Sequence, residues 1–121
     1  MTRGQGRKVS VAMDMKQVDL SEVRGNAGKA ADYLKMLASE QRLMLLCALM
    51  EREQSVGELA DQLGSSQPNV SQHLAKLKAM HIVDCQRSGT VVRYRLVDST
   101  VRQIVKSLYA HFCASPELIL E

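Results

Sequence analysis

Between Ser55 and Leu96 the chain passes through a short amphipathic helical pattern, a glycine turn, a second helical pattern opened by proline, and two β-branched runs joined by a tight turn. Few folds accept that order in so short a stretch. Ser55 caps a segment carrying Val56, Leu59, Ala60 and Leu63 at three- and four-residue steps, and Gly64 ends it as a residue free to adopt positive φ. After the turn from Gly64 to Ser66, Ser66 caps the next helix and Pro68 sits in its first turn, where the missing N–H costs nothing. Val70, Leu74, Leu77 and Ala79 to Met80 mark the inward stripe of that helix. Ile82 to Arg87 and Val91 to Leu96 read as strands joined through Ser88 and Gly89 as a two-residue loop. Two helices across a tight turn, followed by a hairpin, predict a winged helix-turn-helix.

The flanking segments are helical. Ala27, Ala30, Ala31, Leu34 and Leu37 recur at helical spacing from Asn26, and Ser39 caps a helix from Glu40 to Met50 that is apolar on nearly every side. Such a helix belongs at the centre of a small protein or at a subunit interface. Asp98 or Ser99 opens a last helix with Val101, Ile104, Val105, Leu108 and Phe112 at helical spacing, ending before Pro116. The expected fold class is mainly α with a two-stranded β-wing. With 121 residues there is room for one core, and with no Trp and few other aromatics that core must be aliphatic. The longest apolar run, Leu43 to Met50, is too short for a membrane span and no signal-peptide pattern opens the chain, so a cytoplasmic protein without membrane association is expected. Cys47, Cys85 and Cys113 are odd in number and form no CxxC, which suits free thiols in a reducing compartment.

The net charge of +3 is too small to argue for nucleic acid, so the distribution of polar groups must carry that step. The outer face of the Pro68 helix holds Gln67, Asn69, Ser71, Gln72 and Lys76, with His73 and Lys78 nearer its edge and Ser66 at its cap. Amides pair with base edges, hydroxyls donate or accept, and lysines meet phosphate. Alone, this face reads more readily as an ordinary solvated one, since polar outer faces are the rule for surface helices. The hairpin adds Arg87, Arg93 and Arg95 around a tip of Ser88, Gly89 and Thr90, a slender basic finger fitted to phosphate or a minor groove. Together they favour double-stranded DNA.

The stretches LASEQRLMLLCAL, SVGELADQLGSSQPNVSQHLAKLKAMHIVDCQRSG and VVRYRLVD resemble the ArsR/SmtB family of small winged-helix repressors, over roughly Ala30 to Cys113. The resemblance implies a homodimer joined through its first and last helices and bound to palindromic operator DNA, with Gln67, Ser71 and Gln72 at positions of family base contacts. The implied domain is 26–114, for DNA binding and dimerisation, between a mobile tail at 1–25, with a short helix near Met13 to Val23, and a C-terminal tail at 115–121.

The family differs mainly in the site that releases DNA. Where arsenic and cadmium sensors carry CVCDL, this chain has Ser55-Val56-Gly57-Glu58-Leu59, without either thiol. Of the zinc pattern on the last helix, Asp98 and His111 remain while Thr100 and Ala114 replace the other ligands; two ligands per protomer, paired symmetrically, would hold only a weak ion with water. No metal or other cofactor is therefore expected. Cys47 and Cys113, in the contexts RLMLLC and LYAHFC, resemble the SqrR/BigR/HlyU-type dithiol subgroup, whose members release DNA when the two thiols form a disulfide or polysulfide bridge. Singly, each cysteine fits core packing as well. The pair implies a persulfide or polysulfide inducer acting on a repressor, and Cys85 is read as a packed strand residue. The alternatives are a zinc-responsive repressor and a constitutive DNA-binding antirepressor. An enzyme is not expected, since there is no CxxC, no Cys/His dyad and no pocket-forming Gly-rich loop.

Overall fold

In a computed structural model of the chain, residues 17–113 are described, and they divide into two units, one ending at Leu34 and the other beginning at Lys35. Of the expected N-terminal tail at 1–25, residues 1–16 lie outside the described residues, as do 114–121, while Leu20 to Gly25 are helical. Helix α1 (Leu20–Leu37) opens earlier than the apolar pattern at Asn26 suggests. The reason is local: the Asp19 carboxylate accepts from the Ser21 N–H at 3.0 Å and from its hydroxyl at 2.8 Å, so the chain is capped there.

From Lys35 onward the order is the end of α1, then α2 (Glu40–Glu51), β1 (Gln54–Ser55), α3 (Val56–Leu63), α4 (Gln67–Ala79), β2 (Val83–Ser88), β3 (Val91–Leu96) and α5 (Ser99–Phe112). Caps set most of these bounds. The Ser39 hydroxyl accepts from the Arg42 N–H at 3.3 Å to start α2. Ser55 and Glu58 form a reciprocal capping box at the head of α3, and Gly64 closes that helix at φ +63. The core is aliphatic throughout: Leu45, Leu46 and Leu49 of α2 pack in the interior with Leu59, Val70, Leu74, Leu77, Ile82, Val83, Val101 and Val105, all buried. Each such side chain contributes about 1.5–3 kcal/mol by leaving water. Among the described residues no helix is long and apolar enough to cross a membrane.

The sheet has three strands in the order β1-β3-β2, not the two expected. The third is β1, which pairs Gln54 with Tyr94 and Ser55 with Arg93. Two residues are too few to show an alternating pattern, and a buried glutamine does not advertise a strand. Gln54 is only 1% exposed, yet its amide is satisfied: Nε2 donates to the Ala48 carbonyl at 2.8 Å, and Oε1 accepts from Gln62 Nε2. It ties the end of α2 to α3. The hairpin loop also differs by one residue, since Ser88 still pairs with Val91 and the turn is Gly89 and Thr90. Gly89, at φ +67, is the first loop residue, the position where a type II′ turn requires positive φ.

Helix α4 ends without glycine. His81 takes the left-handed conformation at φ 59, its N–H donating to the Lys78 carbonyl at 2.9 Å while the Ile82 N–H reaches back to Leu77 at 3.0 Å. This is a Schellman-type closure, with histidine where glycine is the usual choice. Arg102 of α5 donates to the Met50 carbonyl at 3.3 Å and to the Leu96 carbonyl at 3.2 Å, fastening the last helix to the ends of α2 and β3.

Candidate nucleic-acid interface and thiol pair

Helix α4 buries Val70, Leu74 and Leu77 and leaves Gln67, Ser71, Gln72 and Lys76 exposed on the opposite side. The buried stripe fixes that orientation, because i, i+4 and i+7 positions share one face of a helix. The helix head is set by Ser66, whose hydroxyl accepts from the Asn69 N–H at 3.2 Å. The last turn carries Lys76 and Lys78, and no acid lies in the first turn to compete for a phosphate there.

Two residues expected on this face are committed elsewhere. Asn69 is half-buried and its Nδ2 donates to the Ser65 hydroxyl at 2.8 Å, so it holds the turn in shape. His73 is half-buried too, with Nδ1 3.3 Å from Nη1 of Arg42 on α2. Burial lowers the His73 pKa from the ordinary value, and the charges of Arg42 and Lys76 add to the effect. Its ring therefore turns toward the protein rather than outward.

On the wing, Arg87 and Arg95 are exposed, Arg87 beside the tip of Ser88, Gly89 and Thr90 and Arg95 near the base of the hairpin, opposite Asp84. Arg93 is instead paired with Glu58 at 3.2 Å, the acid of the capping box. Glu58 is held below the usual carboxylate range, first by the Ser55 N–H bonded to it and then by the charges of Arg93 and Arg52. One carboxylate thus caps α3 and anchors β3, fixing the wing against the helix-turn-helix. Sequence reading placed Arg93 correctly on its strand, but its partner lies 35 residues away and left no local signal.

Cys47 on α2 and Cys113 at the C-terminal cap of α5 are both exposed, free thiols. Burial pushes the Cys47 thiol up, and the charge of a Cys113 thiolate pushes it further, since like charges repel. Met44 on α2 and Leu108, Tyr109 and Phe112 on α5 are exposed apolar side chains near these cysteines in sequence, Phe112 at 75%. Cys85 stands apart on β2, half-buried opposite Tyr94. Burial raises the Tyr94 pKa, and Cys85 beside it raises it further.

Asp98 caps α5, its Oδ1 accepting from the Thr100 N–H at 2.9 Å and the Val101 N–H at 3.0 Å. His111 is in the last turn of the same helix, edge-on to Phe112 with ring centroids 4.6 Å apart. At 1.5 Å per residue the two lie about 20 Å apart along the axis, so they cannot share an ion within one protomer. Among the described residues no group of three or more His, Cys, Asp or Glu side chains is arranged to hold a metal ion.

Comparison with known proteins places these features in context. Residues 39–84 match the family described as bacterial regulatory protein, arsR family. The chain is 42% identical over 93 residues to the biofilm growth-associated repressor of Xylella fastidiosa (strain 9a5c), covering 77% of this chain and 82% of that protein. The crystal structure of the transcriptional repressor BigR from Xylella fastidiosa superimposes with a TM-score of 0.72 at 40% identity, covering 81% of this chain and all of that one. Reduced HlyU from Vibrio cholerae N16961 does so with a TM-score of 0.72 at 38% identity, over 76% of this chain and 97% of that one.

Proposed function

The chain belongs to the ArsR family of bacterial regulatory proteins, DNA-binding transcription regulators rather than enzymes, and from that premise we propose that it is a cytoplasmic, homodimeric repressor switched by Cys47 and Cys113. With both thiols reduced it holds a palindromic operator, with α4 in successive major grooves and the wing on the flanking backbone. Gln67, Ser71 and Gln72 read base edges; Ser66, Lys76 and Arg87 meet phosphate. Reactive sulfur species join the thiols and release the DNA.

The observation that carries this reading is a pair of exposed thiols on two helices that pack against each other, one on the central helix and one at the end of the last, with Cys113 adding to the rise of the Cys47 pKa. A bridge there ties α2 to α5. The chemistry balances with a persulfide donor. One thiol takes the outer sulfur of the donor persulfide and releases the donor as its thiol; the second protein thiol attacks the resulting persulfide, forming the disulfide and releasing hydrogen sulfide. Each additional sulfur in the bridge requires one further donor. Cys47 is not acidified, which suits sulfur transfer to a nucleophilic thiol better than rapid peroxide sensing. Dimerisation is supported by the apolar side chains that α5 leaves exposed, Leu108, Tyr109 and Phe112.

The test begins with a duplex selected from a randomised pool by the reduced protein. Binding to that duplex is then measured after separate treatment with glutathione persulfide, peroxide or diamide, with the intact mass recorded each time. Release by persulfide, with one or more extra sulfurs in the bridge, is the expected result. Cys47→Ser and Cys113→Ser should stay bound, and Cys85→Ser should respond as the parent does. A sulfur-free disulfide under every condition refutes the polysulfide bridge; release that survives Cys47→Ser refutes the dithiol switch.

A further inference from the structure

Arg42 lies between the thiol-bearing helix and the reading helix. On α2, it stands five residues ahead of Cys47; its Nε donates to the Met36 carbonyl in the last turn of α1 at 2.6 Å, while Nη1 lies 3.3 Å from His73 Nδ1 on α4. A carbonyl in the last turn of a helix has no partner within that helix and attracts a cation. The guanidinium fork therefore satisfies that carbonyl with one arm and touches the reading helix with the other. His73 sits between Gln72 on the exposed face and Leu74 in the core, so the contact bears on the segment of α4 that carries both.

We propose that Arg42 is a positioning residue for the reading helix: anchored on Met36, it holds His73 as a neutral acceptor, and operator affinity of the reduced protein falls when His73 takes up a proton. Arginine only donates, so Nδ1 must accept and the ring proton must be on Nε2. A protonated ring has no free nitrogen to accept and repels the guanidinium. The charged groups bearing on the ring are Arg42 from α2 and Lys76 from α4 itself, both cations. The acids on the elements packed against α4 are Glu40 and Glu51 of α2, Glu58 and Asp61 of α3, and Asp84 of β2; Glu58 is bonded to Ser55 and Arg93, Asp84 accepts from the Cys85 N–H, and none of the five is among the causes of the His73 shift. The ring is thus neutral at neutral pH, and the contact is lost as pH falls through its lowered pKa. The sign is diagnostic. A histidine facing phosphate would bind DNA more tightly when protonated, whereas one facing Arg42 lets the reading helix go.

The inference rests on the reading of α4 as the DNA-contacting helix, and its test has one arm that needs no DNA. In the free reduced protein, nitrogen-detected NMR titration should find His73 as the Nε2–H tautomer, titrating below the ordinary histidine range, and Arg42→Met should move it upward. With the selected duplex at constant ionic strength, lowering pH from 7.5 to 5.5 should weaken binding by about tenfold more in the parent than in His73→Asn, which keeps an acceptor near Nδ1 and cannot titrate. Arg42→Met should lose about tenfold at pH 7.5, and Arg42→Lys should not restore it, because one ammonium cannot serve both acceptors. An Nδ1–H tautomer titrating in the ordinary range overturns the proposal whatever the DNA result. So does a pH profile shared with His73→Asn, or a His73-dependent gain of affinity on acidification. If no duplex is selected, the assignment of function fails while the NMR arm still decides the contact; if Arg42→Met does not fold, His73→Asn and the parent titration suffice.

Discussion

Joining Cys47 to Cys113 would close a loop of 66 residues, and the entropy removed from the unfolded chain by a loop of that length corresponds to about 4 kcal/mol at 25 °C. For a domain of this size that ceiling corresponds to a rise of roughly 15 °C in Tm. The bridge should fall short of it. A disulfide needs Cα atoms about 4.4–6.8 Å apart, so any adjustment the bridge demands of the last turn of α5 works against the Arg102 bonds that fasten this helix to α2 and β3. A useful switch requires a coupling of about 1–3 kcal/mol between bridge and operator, which is the extra strain the bridge imposes on the DNA-bound protein relative to the free one. The expected gain is about 1–3 kcal/mol, a Tm rise of roughly 4–12 °C, accompanied by a loss of operator affinity of about 1–3 kcal/mol. Calorimetry of reduced and bridged protein at one fixed protomer concentration measures the gain, and anisotropy with the selected duplex measures the loss. A full rise of about 15 °C with unchanged operator affinity would refute the reasoning, because the bridge would then form without distorting anything. A rise that persists in Cys47→Ser would assign it to another bond.

Three further outcomes follow from particular residues. His81 is a non-glycine residue held at φ 59, so His81→Gly should raise stability by about 0.5–1 kcal/mol in chemical denaturation, whereas Gly64→Ala, at φ +63 with open space around it, should lower it by about 1 kcal/mol; a neutral result at both positions would contradict the two left-handed helix closures. Because burial and Cys113 raise the Cys47 pKa, its thiolate fraction is small at pH 7 and its alkylation rate should climb about tenfold per pH unit to pH 8.5 without a plateau; saturation near pH 7 would show an acidified thiol instead. Lys76→Ala should weaken binding to all duplexes alike and reduce the salt slope by about 1, while Gln72→Ala should relax sequence preference at one position and leave the slope unchanged; interchanged behaviour would reverse the roles given to these exposed residues.

The elements most legible in the sequence are those whose causes lie within a few residues. Ser39, Ser55, Ser66 and Asp98 each cap the helix that follows, through bonds to amides two or three residues on. Gly64 and Pro68 mark the turn for reasons of φ alone. The exposed polar face of α4, with Gln67, Ser71, Gln72 and Lys76, follows from helical periodicity once the buried stripe is known. Local rules failed where polar side chains have two possible destinations: Asn69 and His73 have the chemistry of base or phosphate contacts, yet their partners are Ser65 and Arg42. Nothing in their spacing separates the two outcomes.

By itself, the sequence determined the helices, the turn, the wing and the candidate thiols, because capping, periodicity and backbone preference act over one or two turns of chain. Tertiary structure decided what those pieces hold: β1 against β3, Glu58 against Arg93, Arg42 against His73, and Cys47 within electrostatic reach of Cys113. These pairs lie tens of residues apart. Their proximity is set by how the aliphatic core packs, and a pattern read a few residues at a time carries no record of that distance.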